Sequence, residues 1–577
     1  MCYAHWKNNR HLSPSVFDLF FRQHPFYGEF TIFAGLEEVL RFLSNFAFTD
    51  GDIAVLRRKF PGWDPRFFEF LRKMDVSDVR VYAVREGSVV FPRLPLIRVE
   101  GPLAICQMLE STLLVLVNYA SLVATNAARH RLAVGPTKTL LEFGLRRAQG
   151  PDGAMSASRY AFIGGFDGTS NVKAASIFGM DMKGTHAHSF VVSFYSLSDL
   201  KEKTLKDSKG VARDFVGTVL GFRTELKRTH THEGELTAFM SYAQAFPTGF
   251  LGLLDTFDTL ESGIWNFVCV ALALDAFGYR ALGIRLDSGD LAYLSRECRK
   301  IFKSVGDQFH LDYFQNLNIV ASNDLSEKVL YALKEQGHEI DTCKQRTHQR
   351  KRCAIVSHLA RRGERTPWDS VPFVRRRVCM LIVCPSLSLC SWCCAVGVGT
   401  NLVTCKTQPA LGCVYKLVEV NRQPRMKVSS DHDKVTIPGE KECYRLYNSS
   451  KEPVLDLLVQ VGTTPPQAGK RILCRHPFDA NKRVYVTPAT VEPLHALVWD
   501  GAKHGKRGPN GEAPVNPLEG YPSLAAVRAH VASELGRFRE DHLRRLNPTP
   551  YKMSVSSDLF SFMADLWLQE TPIAEIV

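Results

Sequence analysis

Apolar runs alternate with helical patterns in the middle of the chain, and this alternation restricts the fold more than any other feature. The run Ala281–Leu286 is typical of a strand, and Asp290–Val305 has the spacing of an amphipathic helix. The same order follows at Leu317–Ala321 and Leu325–Gln336. Strands joined through a helix lie parallel in one sheet, because the crossover returns the chain to the edge where it started. The sequence therefore predicts an α/β fold with a parallel sheet or barrel.

The region before residue 100 has shorter and more mixed patterns. Leu36–Phe48 has helical spacing, whereas Val79–Ala83 and Val89–Phe91 are predicted strands joined by a turn at Glu86-Gly87. A chain of 577 residues is too long for one hydrophobic core, so two or three domains are expected.

A long apolar helical pattern covers Leu103–Val134 and is predicted to end near Gly135-Pro136. A break in this helix is expected at Asn118-Tyr119. Residues 420–577 mix strands with helices such as Leu524–Phe538 and contain no obvious chemistry.

The net charge of +13 is concentrated in one segment. Thr342–Ala395 contains 11 Lys or Arg against two acidic residues, and so carries +9 of the total. Nucleic-acid-binding domains are basic over a whole face of the fold, which is not the pattern here. The sequence therefore predicts no nucleic-acid partner.

Thr342–Ala395 also holds seven of the 15 cysteines. The N-terminal stretch Cys2–Arg10 is polar and basic and lacks the apolar core of a signal peptide. We therefore expect a cytosolic protein whose cysteines remain reduced thiols.

Several short motifs place reactive side chains where strands are predicted to end, which is where α/β barrels carry their active sites. The first, Phe143–Arg147, joins an aromatic ring to Arg146 and Arg147 after a helical stretch. Guanidinium groups bind phosphate through paired hydrogen bonds, and a ring stacks on a flat heterocycle. An exposed arginine pair at a helix end is the alternative.

Two further motifs are rich in small and polar residues. Gly164–Asn171 lets the backbone approach a ligand closely, although an ordinary turn would have the same composition. In Gly184–Ser189, His186 and His188 at alternate positions of a strand end would point to the same side. Such a pair suits a metal site, a general base or a phosphoryl acceptor, whereas a structural core histidine is the alternative.

A strand pattern runs into a turn that carries Arg285, Asp287 and Asp290. The two carboxylates suit a divalent metal or ribose hydroxyls, and they equally suit helix caps. The glycine turn Gly397–Thr400 is of the kind that binds phosphate through backbone N–H groups.

Taken in order, these motifs resemble the nicotinate phosphoribosyltransferase family of the type II phosphoribosyltransferases. The resemblance covers nearly all of the chain except Thr342–Ala395. The matching segments are VNYASLVATNAAR (Val117–Arg129), EFGLRRAQGPDGAMSAS (Glu142–Ser158), GGFDGTSNV (Gly164–Val172), GTHAHSF (Gly184–Phe190), ALGIRLDSGDL (Ala281–Leu291), VGVGTNLVTC (Val396–Cys405) and GCVYKLVEV (Gly412–Val420).

The resemblance implies an irregular α/β barrel together with an α/β sandwich domain built from the N- and C-terminal segments. We expect an N-terminal domain over 1–110, a catalytic barrel over 111–341 and 396–420, and a C-terminal part of the sandwich over 421–577. The basic, cysteine-rich insert over 342–395 is predicted to be disordered.

The implied reaction joins nicotinate to phosphoribosyl pyrophosphate and releases nicotinate mononucleotide and pyrophosphate, the first step of NAD synthesis from nicotinate. ATP is the implied co-substrate, and its hydrolysis proceeds through a phosphohistidine. Mg²⁺ or Mn²⁺ is the expected cofactor and a homodimer the expected assembly, with no membrane partner.

The resemblance also assigns roles near the ring and the ribose. Phe143 stacks on the pyridine ring, and Arg146, with Arg147 as its neighbour, binds phosphate or pyrophosphate. Arg285 approaches the nicotinate and the reacting ribose, and Asp287 holds the ribose or its metal.

The remaining roles concern phosphate. Gly397, Gly399 and Thr400 are expected to hold the 5-phosphate. His188 matches the family's phosphorylated histidine, and His186 does not.

Two carboxylates and one serine complete the predicted site. Asp287 and Asp290 are candidate metal ligands. Ser170 stands where the related nicotinamide-using enzymes have an aspartate; because a hydroxyl donates to a carboxylate and an aspartate repels one, serine favours the acid.

The chain departs from the family in two places. Family members begin with a segment of the form LTDLYQ, whose tyrosine lines the nicotinate pocket, and here Tyr3 belongs to the stretch that follows it. Thr342–Ala395 has no counterpart, and its Leu-, Ser- and Cys-rich tail suggests a translated intron. A membrane span over Val378–Val398 is a rival interpretation, which Pro385 disfavours. A catalytically impaired isoform is the alternative function.

Overall fold

The computed structural model describes residues 1–341, 395–429, 431–505 and 515–571. Nearly all of the predicted insert lies outside these ranges. The hypotheses of disorder, a translated intron and a membrane span therefore concern residues outside the described part of the chain.

The helices of the described residues are α1 (Cys2–Lys7), α2 (Leu36–Ser44), α3 (Asp50–Lys59), α4 (Pro65–Lys73), α5 (Leu103–Val134), α6 (Gly150–Ile163), α7 (Val172–Phe178), α8 (His188–Val191), α9 (Phe215–Glu225), α10 (Glu233–Ala245), α11 (Ile264–Ala276), α12 (Leu291–Gln308), α13 (Glu327–Gln336), α14 (Thr400–Thr404), α15 (Gly501–His504), α16 (Leu524–Arg537), α17 (Glu540–Leu543) and α18 (Ser557–Glu570).

The strands are β1 (Pro14–Phe21), β2 (Thr31–Ile32), β3 (Arg80–Val84), β4 (Val89–Val90), β5 (Ile97–Pro102), β6 (Thr139–Glu142), β7 (Gly168–Thr169), β8 (Asp181–Met182), β9 (Thr204–Lys206), β10 (Ala212–Asp214), β11 (Leu251–Leu253), β12 (Gly283–Leu286), β13 (Asn318–Ser322), β14 (Ala395–Val398), β15 (Cys413–Val420), β16 (Gln423–Pro424), β17 (Lys441–Tyr447), β18 (Pro453–Gln460), β19 (Ile472–His476), β20 (Asp479–Val486), β21 (Thr490–Pro493), β22 (His495–Asp500) and β23 (Lys552–Ser556).

The chain divides into two compact units. The first comprises Met1–Arg131, Ala148–Phe166 and Leu402–Val577, and the second comprises Leu132–Arg147 and Asp167–Asn401. The first unit thus contains most of α5 and all of α6, and the sequence-based division, with a barrel over 111–341 and 396–420, stays a prediction.

The second unit is built on the predicted parallel sheet. Its strand order is β11-β12-β13-β14-β6-β7-β8, and every neighbouring pair is parallel. The predicted alternation at Ala281–Gln336 is confirmed as β12, α12, β13 and α13. Because all the strands run the same way, their carboxyl ends lie along one edge of the sheet.

A buried helix, α11, is the most apolar helix of the second unit. Ile264, Phe267 and Leu274 are fully buried, and the Phe250 and Phe267 rings stack with centroids 5.3 Å apart. Its extension Thr259–Ala276 and α5 are long and apolar enough for a membrane span by length and composition alone. Most of the α11 surface is buried, as is expected of a helix in the core of a folded unit.

The first unit contains two larger sheets. The first has the order β16-β15-β1-β5-β3-β22 and is antiparallel, and the second has the order β20-β19-β23-β18-β17-β21. In the second sheet β18 and β23 pair in parallel although they are distant in sequence. Strands from the N- and C-terminal segments therefore share one sheet, as β1 pairs with both β5 and β15.

The predicted break in α5 is wrong, because the helix is continuous from Leu103 to Val134. Asn118 Oδ1 accepts a hydrogen bond of 2.9 Å from the Cys413 amide, and the Tyr119 hydroxyl donates to the Val403 carbonyl at 2.7 Å. Both polar side chains therefore bind neighbouring segments and do not compete with the helical backbone.

All eight cysteines of the described part of the chain are free thiols, and seven of these are buried. Burial raises the pKa of the Cys269 and Cys298 thiols to about 12. No disulfide joins any of these eight residues, and the expectation of a reducing compartment stays a prediction. The seven cysteines between 342 and 395 lie outside the described part.

Candidate active site

The carboxyl edge of the parallel sheet collects most of the side chains that the sequence singled out. Phe143 follows β6, Ser170 follows β7, Asp287 follows β12 and Gly399 follows β14. The second unit alone therefore contains every predicted site residue, and each can be described within it.

An aromatic ring occupies the centre of this edge. The Phe143 amide donates to the Val398 carbonyl at 2.9 Å, which fixes the end of β6 against β14. A Cβ atom at Gly397 would lie 2.5 Å from Phe143 Cδ2, so the ring sits where only glycine leaves room. The residues before Phe143 form a strand, and the helical stretch expected there is wrong.

Glu142 is a site residue that the sequence analysis missed. Its buried carboxylate accepts hydrogen bonds from the Gly144 amide and, at 2.5 Å, from the Thr169 hydroxyl. Glu142 thereby ties the turn after Phe143 to β7. A carboxylate at the last position of an apolar strand was the available signal.

Two guanidinium groups lie at the surface beside the ring. Arg146 and Arg147 form the short 3-10 turn Leu145–Arg147 and are exposed. Neither has a hydrogen-bond or ion-pair partner within the described ranges. Their charges are therefore available to an anion at this edge.

Arg285 lies on β12 and is half-buried. One of its terminal nitrogens donates to the Thr185 hydroxyl, whereas its buried Nε has no partner among the described residues. Burial lowers the pKa of the guanidinium, Asp287 and Asp255 oppose this, and Arg146 adds to the lowering. An uncompensated buried donor is costly unless a ligand accepts from it.

A pair of carboxylates follows β11 and β12. Asp287 accepts from the Ser322 hydroxyl at 2.6 Å, and Asp255 Oδ2 accepts from the Ser288 hydroxyl at 2.5 Å and the Asp287 amide at 3.1 Å. Asp255 Oδ1 is buried with no partner in the described part of the chain. The sequence analysis missed Asp255, although it ends the apolar run Leu251–Leu254 as Asp287 ends β12.

The two histidines occupy different environments, so the expectation that they share one side of a strand is wrong. His186 lies in an irregular segment and is 6% exposed, and its Nε2 accepts from the Leu253 amide at 3.1 Å. Burial, with Arg285 nearby, lowers the pKa of His186 to about 3. His186 is therefore neutral, with Nε2 already engaged.

His188 begins α8 and its side chain is 41% exposed. Its Nδ1 lies 3.0 Å from the Thr256 hydroxyl oxygen, and its Nε2 lies 3.5 Å from Asp287 Oδ2. An accessible imidazole oriented through one nitrogen is suited to nucleophilic or acid–base chemistry at the other. Thr256 is a further residue that the sequence analysis missed.

The remaining predicted residues have local structural contacts. Asp290 caps α12 by accepting from the Tyr293 amide at 2.9 Å, and the Ser170 hydroxyl donates to the Glu142 carbonyl at 3.2 Å. Thr400 begins α14 directly after Gly399. Within the described ranges, no group of three or more His, Cys, Asp or Glu side chains is placed to hold a metal by protein ligands alone.

The arrangement can bind a flat ring against Phe143 with anionic groups beside it. Arg146, Arg147 and Arg285 supply positive charge, and Asp255 and Asp287 supply carboxylate oxygens. Such an edge stabilises charge that moves between a ring and an anionic leaving group.

Comparison with known proteins gives matches that carry one shared name and cover nearly the whole chain. Models of the nicotinate phosphoribosyltransferase N-terminal and C-terminal domains match residues 1–118 and 440–563. The nicotinate phosphoribosyltransferase of Dictyostelium discoideum is 48% identical over 100% of this chain and 88% of its own length. The Homo sapiens protein of the same name is 39% identical over 99% of this chain and 96% of its own.

The fold agrees with these sequence matches. A crystal structure of human nicotinic acid phosphoribosyltransferase matches with a TM-score of 0.77 and 38% identity, covering 98% of both chains. The predicted irregular α/β barrel with an additional α/β domain is thereby confirmed.

Proposed function

The chain belongs to the nicotinate phosphoribosyltransferase family, and from this premise we propose that it forms nicotinate mononucleotide and pyrophosphate from nicotinate and phosphoribosyl pyrophosphate. The observation that carries the proposal is the Phe143 ring seated against Gly397, at the edge that also holds Arg146, Arg285 and Asp287. This edge offers a stacking surface for pyridine beside a cationic surface for phosphate.

In the proposed reaction the pyridine nitrogen attacks C1 of the ribose as the bond to pyrophosphate breaks. Phe143 holds the ring, and Arg285 donates from its unpartnered Nε to an anionic group of either substrate. Arg146 and Arg147 neutralise the departing pyrophosphate, while Gly397–Thr400 bind the 5-phosphate. Catalysis is then mainly positioning and charge stabilisation.

The carboxylates fit the divalent cation that the family implies. Asp255 Oδ1 is an unpartnered buried oxygen, and Asp287 stands next to it in the hydrogen-bond network. Mg²⁺ takes one or two carboxylates together with substrate phosphates, and it would supply charge neutralisation of pyrophosphate here. Asp290 is a weaker candidate ligand because it caps α12.

Gly397→Ala is expected to raise the KM for nicotinate about tenfold or more, because the added methyl group displaces the Phe143 ring. Initial rates at varied nicotinate concentration measure this effect. Gly221→Ala is the matched control, since a Cβ there meets no atom within 4 Å. Unchanged kinetics in Gly397→Ala would show that the ring position is not used.

For ATP coupling we propose His188 as the phosphoryl acceptor. The γ-phosphoryl group of ATP would transfer to Nε2, releasing ADP, and water would later release phosphate. With Nδ1 protonated and donating to Thr256 Oγ1, the Nε2 lone pair is the reactive one. His186 does not suit this role because its Nε2 accepts the Leu253 amide.

Thr256→Val is expected to lower ATP-dependent ADP release about tenfold, because valine keeps the shape and loses the oxygen that orients His188. Thr256→Ser should retain most of the activity. ADP and nicotinate mononucleotide are measured in parallel, so that loss of coupling is separated from loss of transfer. Equal ADP release from Thr256→Val and the unaltered chain would contradict the proposed orientation.

Ser170 supports nicotinate over nicotinamide in the proposal. It is half-buried and carries no charge that would repel a carboxylate, although its hydroxyl already donates to the Glu142 carbonyl. A homodimer in the cytosol is a further part of the proposal, and light scattering of the purified chain tests the assembly.

The deciding experiment assays nicotinate mononucleotide formation from nicotinate, phosphoribosyl pyrophosphate, ATP and Mg²⁺. The chain is compared with a version that lacks Thr342–Ala395, and nicotinamide replaces nicotinate in a parallel series. Activity of both versions with nicotinate supports the proposal and makes the insert a tolerated loop. If only the shortened version is active, the full chain is the catalytically impaired isoform. A preference for nicotinamide over nicotinate would overturn the substrate assignment.

A further inference from the structure

A large cavity lies in the first unit, which contains none of the proposed catalytic residues. Its volume is about 920 Å³, within the usual range for small-molecule sites. The end of β1, the turn after β4, the β19–β20 hairpin and β23 surround it. Side chains that matter for its chemistry are Arg22, Arg93, Phe478, Lys482, Arg483 and Lys552.

Arg93 lines the cavity and holds a strained backbone conformation. Its φ is +73°, in the left-handed region that non-glycine residues rarely adopt. Its amide donates to the Phe21 carbonyl at 2.9 Å, which fixes the turn to the end of β1. Such strain persists where surrounding contacts enforce it, and it is frequent at ligand-binding sites.

Contacts from several directions hold the Arg93 side chain in place. It donates to the Val435 carbonyl at 2.9 Å and to Asp433 at 3.2 Å, and its guanidinium lies 4.8 Å from the centroid of the Phe478 ring. Phe478 is half-buried and lines the cavity. A rigid cation beside an aromatic ring is therefore preformed.

Arg22 follows β1 directly and brings a second guanidinium to the same cavity. It has no hydrogen bond or ion pair within the described part of the chain, and its Nε is buried. Burial lowers the pKa of Arg93, Asp433 opposes this, and the Arg22 charge adds to the lowering. The two arginines therefore repel each other, and an anion between them would relieve the repulsion.

Further basic residues line the cavity. Lys482 is paired with Asp479 at 3.2 Å, whereas Arg483 and Lys552 have no ion-pair partner among the described residues. Among the lining residues, five Arg or Lys side chains stand against the three acidic side chains of Glu29, Asp433 and Asp479. The cavity therefore has an uncompensated positive charge.

We propose that this cavity binds a phosphorylated small molecule of nucleotide size, with its phosphate between Arg22 and Arg93 and its ring against Phe478. A bare phosphate ion would fill only a small part of the volume, and an uncharged ring would leave the arginines uncompensated. Every lining residue belongs to the first unit, so this site shares no residue with the proposed catalytic edge.

Titration calorimetry of the full chain with adenosine monophosphate tests the proposal, with inorganic phosphate and adenosine as partial ligands. We expect adenosine monophosphate to bind at least tenfold more tightly than either. Arg22→Gln should weaken its binding at least tenfold, and Arg22→Lys should weaken it less. Arg58→Gln, an exposed arginine outside the cavity, is the matched control and should bind as the unaltered chain does.

Arg146→Gln separates the two sites, because it alters only the catalytic edge. Adenosine monophosphate binding that survives Arg146→Gln and is lost in Arg22→Gln supports the proposal. Binding lost only in Arg146→Gln, or equal in Arg22→Gln and Arg58→Gln, overturns it. If Arg22→Gln lowers the melting temperature, the exposed variant Arg483→Gln replaces it in the comparison with Arg58→Gln. Unchanged binding of adenosine monophosphate in both Arg483→Gln and Lys552→Gln then overturns the proposal.

Discussion

Arg285→Gln is expected to lower kcat/KM for nicotinate by about two to three orders of magnitude, the usual effect of removing one positioned donor from an active site. The guanidinium is half-buried, bound to Thr185, and flanked by Asp287 and Asp255. Glutamine removes the charge and the planar fork, and its amide nitrogen reaches only as far as the arginine Nε. Both the neutralisation of an anionic substrate and its orientation are therefore lost.

Initial rates over a matrix of both substrate concentrations measure this effect. Arg285→Lys should recover only part of the activity, because lysine supplies the charge without the paired donors. Arg280→Gln, an exposed arginine of the same unit that stacks on Tyr313, is the matched control. A loss of less than about threefold in Arg285→Gln would remove Arg285 from the proposed mechanism.

Arg445→Met is expected to destabilise the protein by about 3–5 kcal/mol, the usual cost of removing one partner from a buried ion network. Arg445 is 1% exposed and binds Asp456 through two nitrogens at 2.8 and 2.9 Å. Another nitrogen binds Glu534 at 3.0 Å. Methionine fills much of the same space but leaves Asp456 buried without a counter-charge, and Glu534 keeps only its ion pair of 3.2 Å with Arg537.

Urea unfolding followed by circular dichroism, with the midpoint compared between variants, measures this loss of stability. Arg72→Gln is the control, because it removes an exposed ion pair of 3.1 Å with Asp50 and should cost at most about 1 kcal/mol. Equal midpoints for Arg445→Met and Arg72→Gln would mean that the buried network does not stabilise the first unit.

The local pattern of the sequence predicted the catalytic unit well, because strand and helix periodicities there are strong. The strand–helix order from Ala281 to Gln336 was predicted to within a few residues at each end. The predicted glycine turn Gly397–Thr400 lies at the end of β14, and α14 begins at Thr400. The order of strands and helices depends on periodicity among residues that are close in sequence.

The errors arose where a distant partner decided the outcome. Asn118 and Tyr119 were expected to break α5, but residues about 300 positions away accept and donate the hydrogen bonds that their side chains need. His186 and His188 were expected to point together, yet His186 binds the Leu253 amide and His188 pairs with Thr256. The spacing of residues along the sequence does not identify these distant hydrogen-bond partners.

The sequence by itself determined the family, the parallel sheet and the motifs that carry the proposed chemistry, because these depend on periodicity and on residue order along the chain. Only the tertiary structure brought Asp255 beside Asp287, put the Phe143 ring in the space that Gly397 leaves, and joined Arg22 to Arg93 at one cavity. Side chains that meet in these places come from separate strands. Their proximity is decided by how the strands pair, and strand pairing is a property of the folded chain.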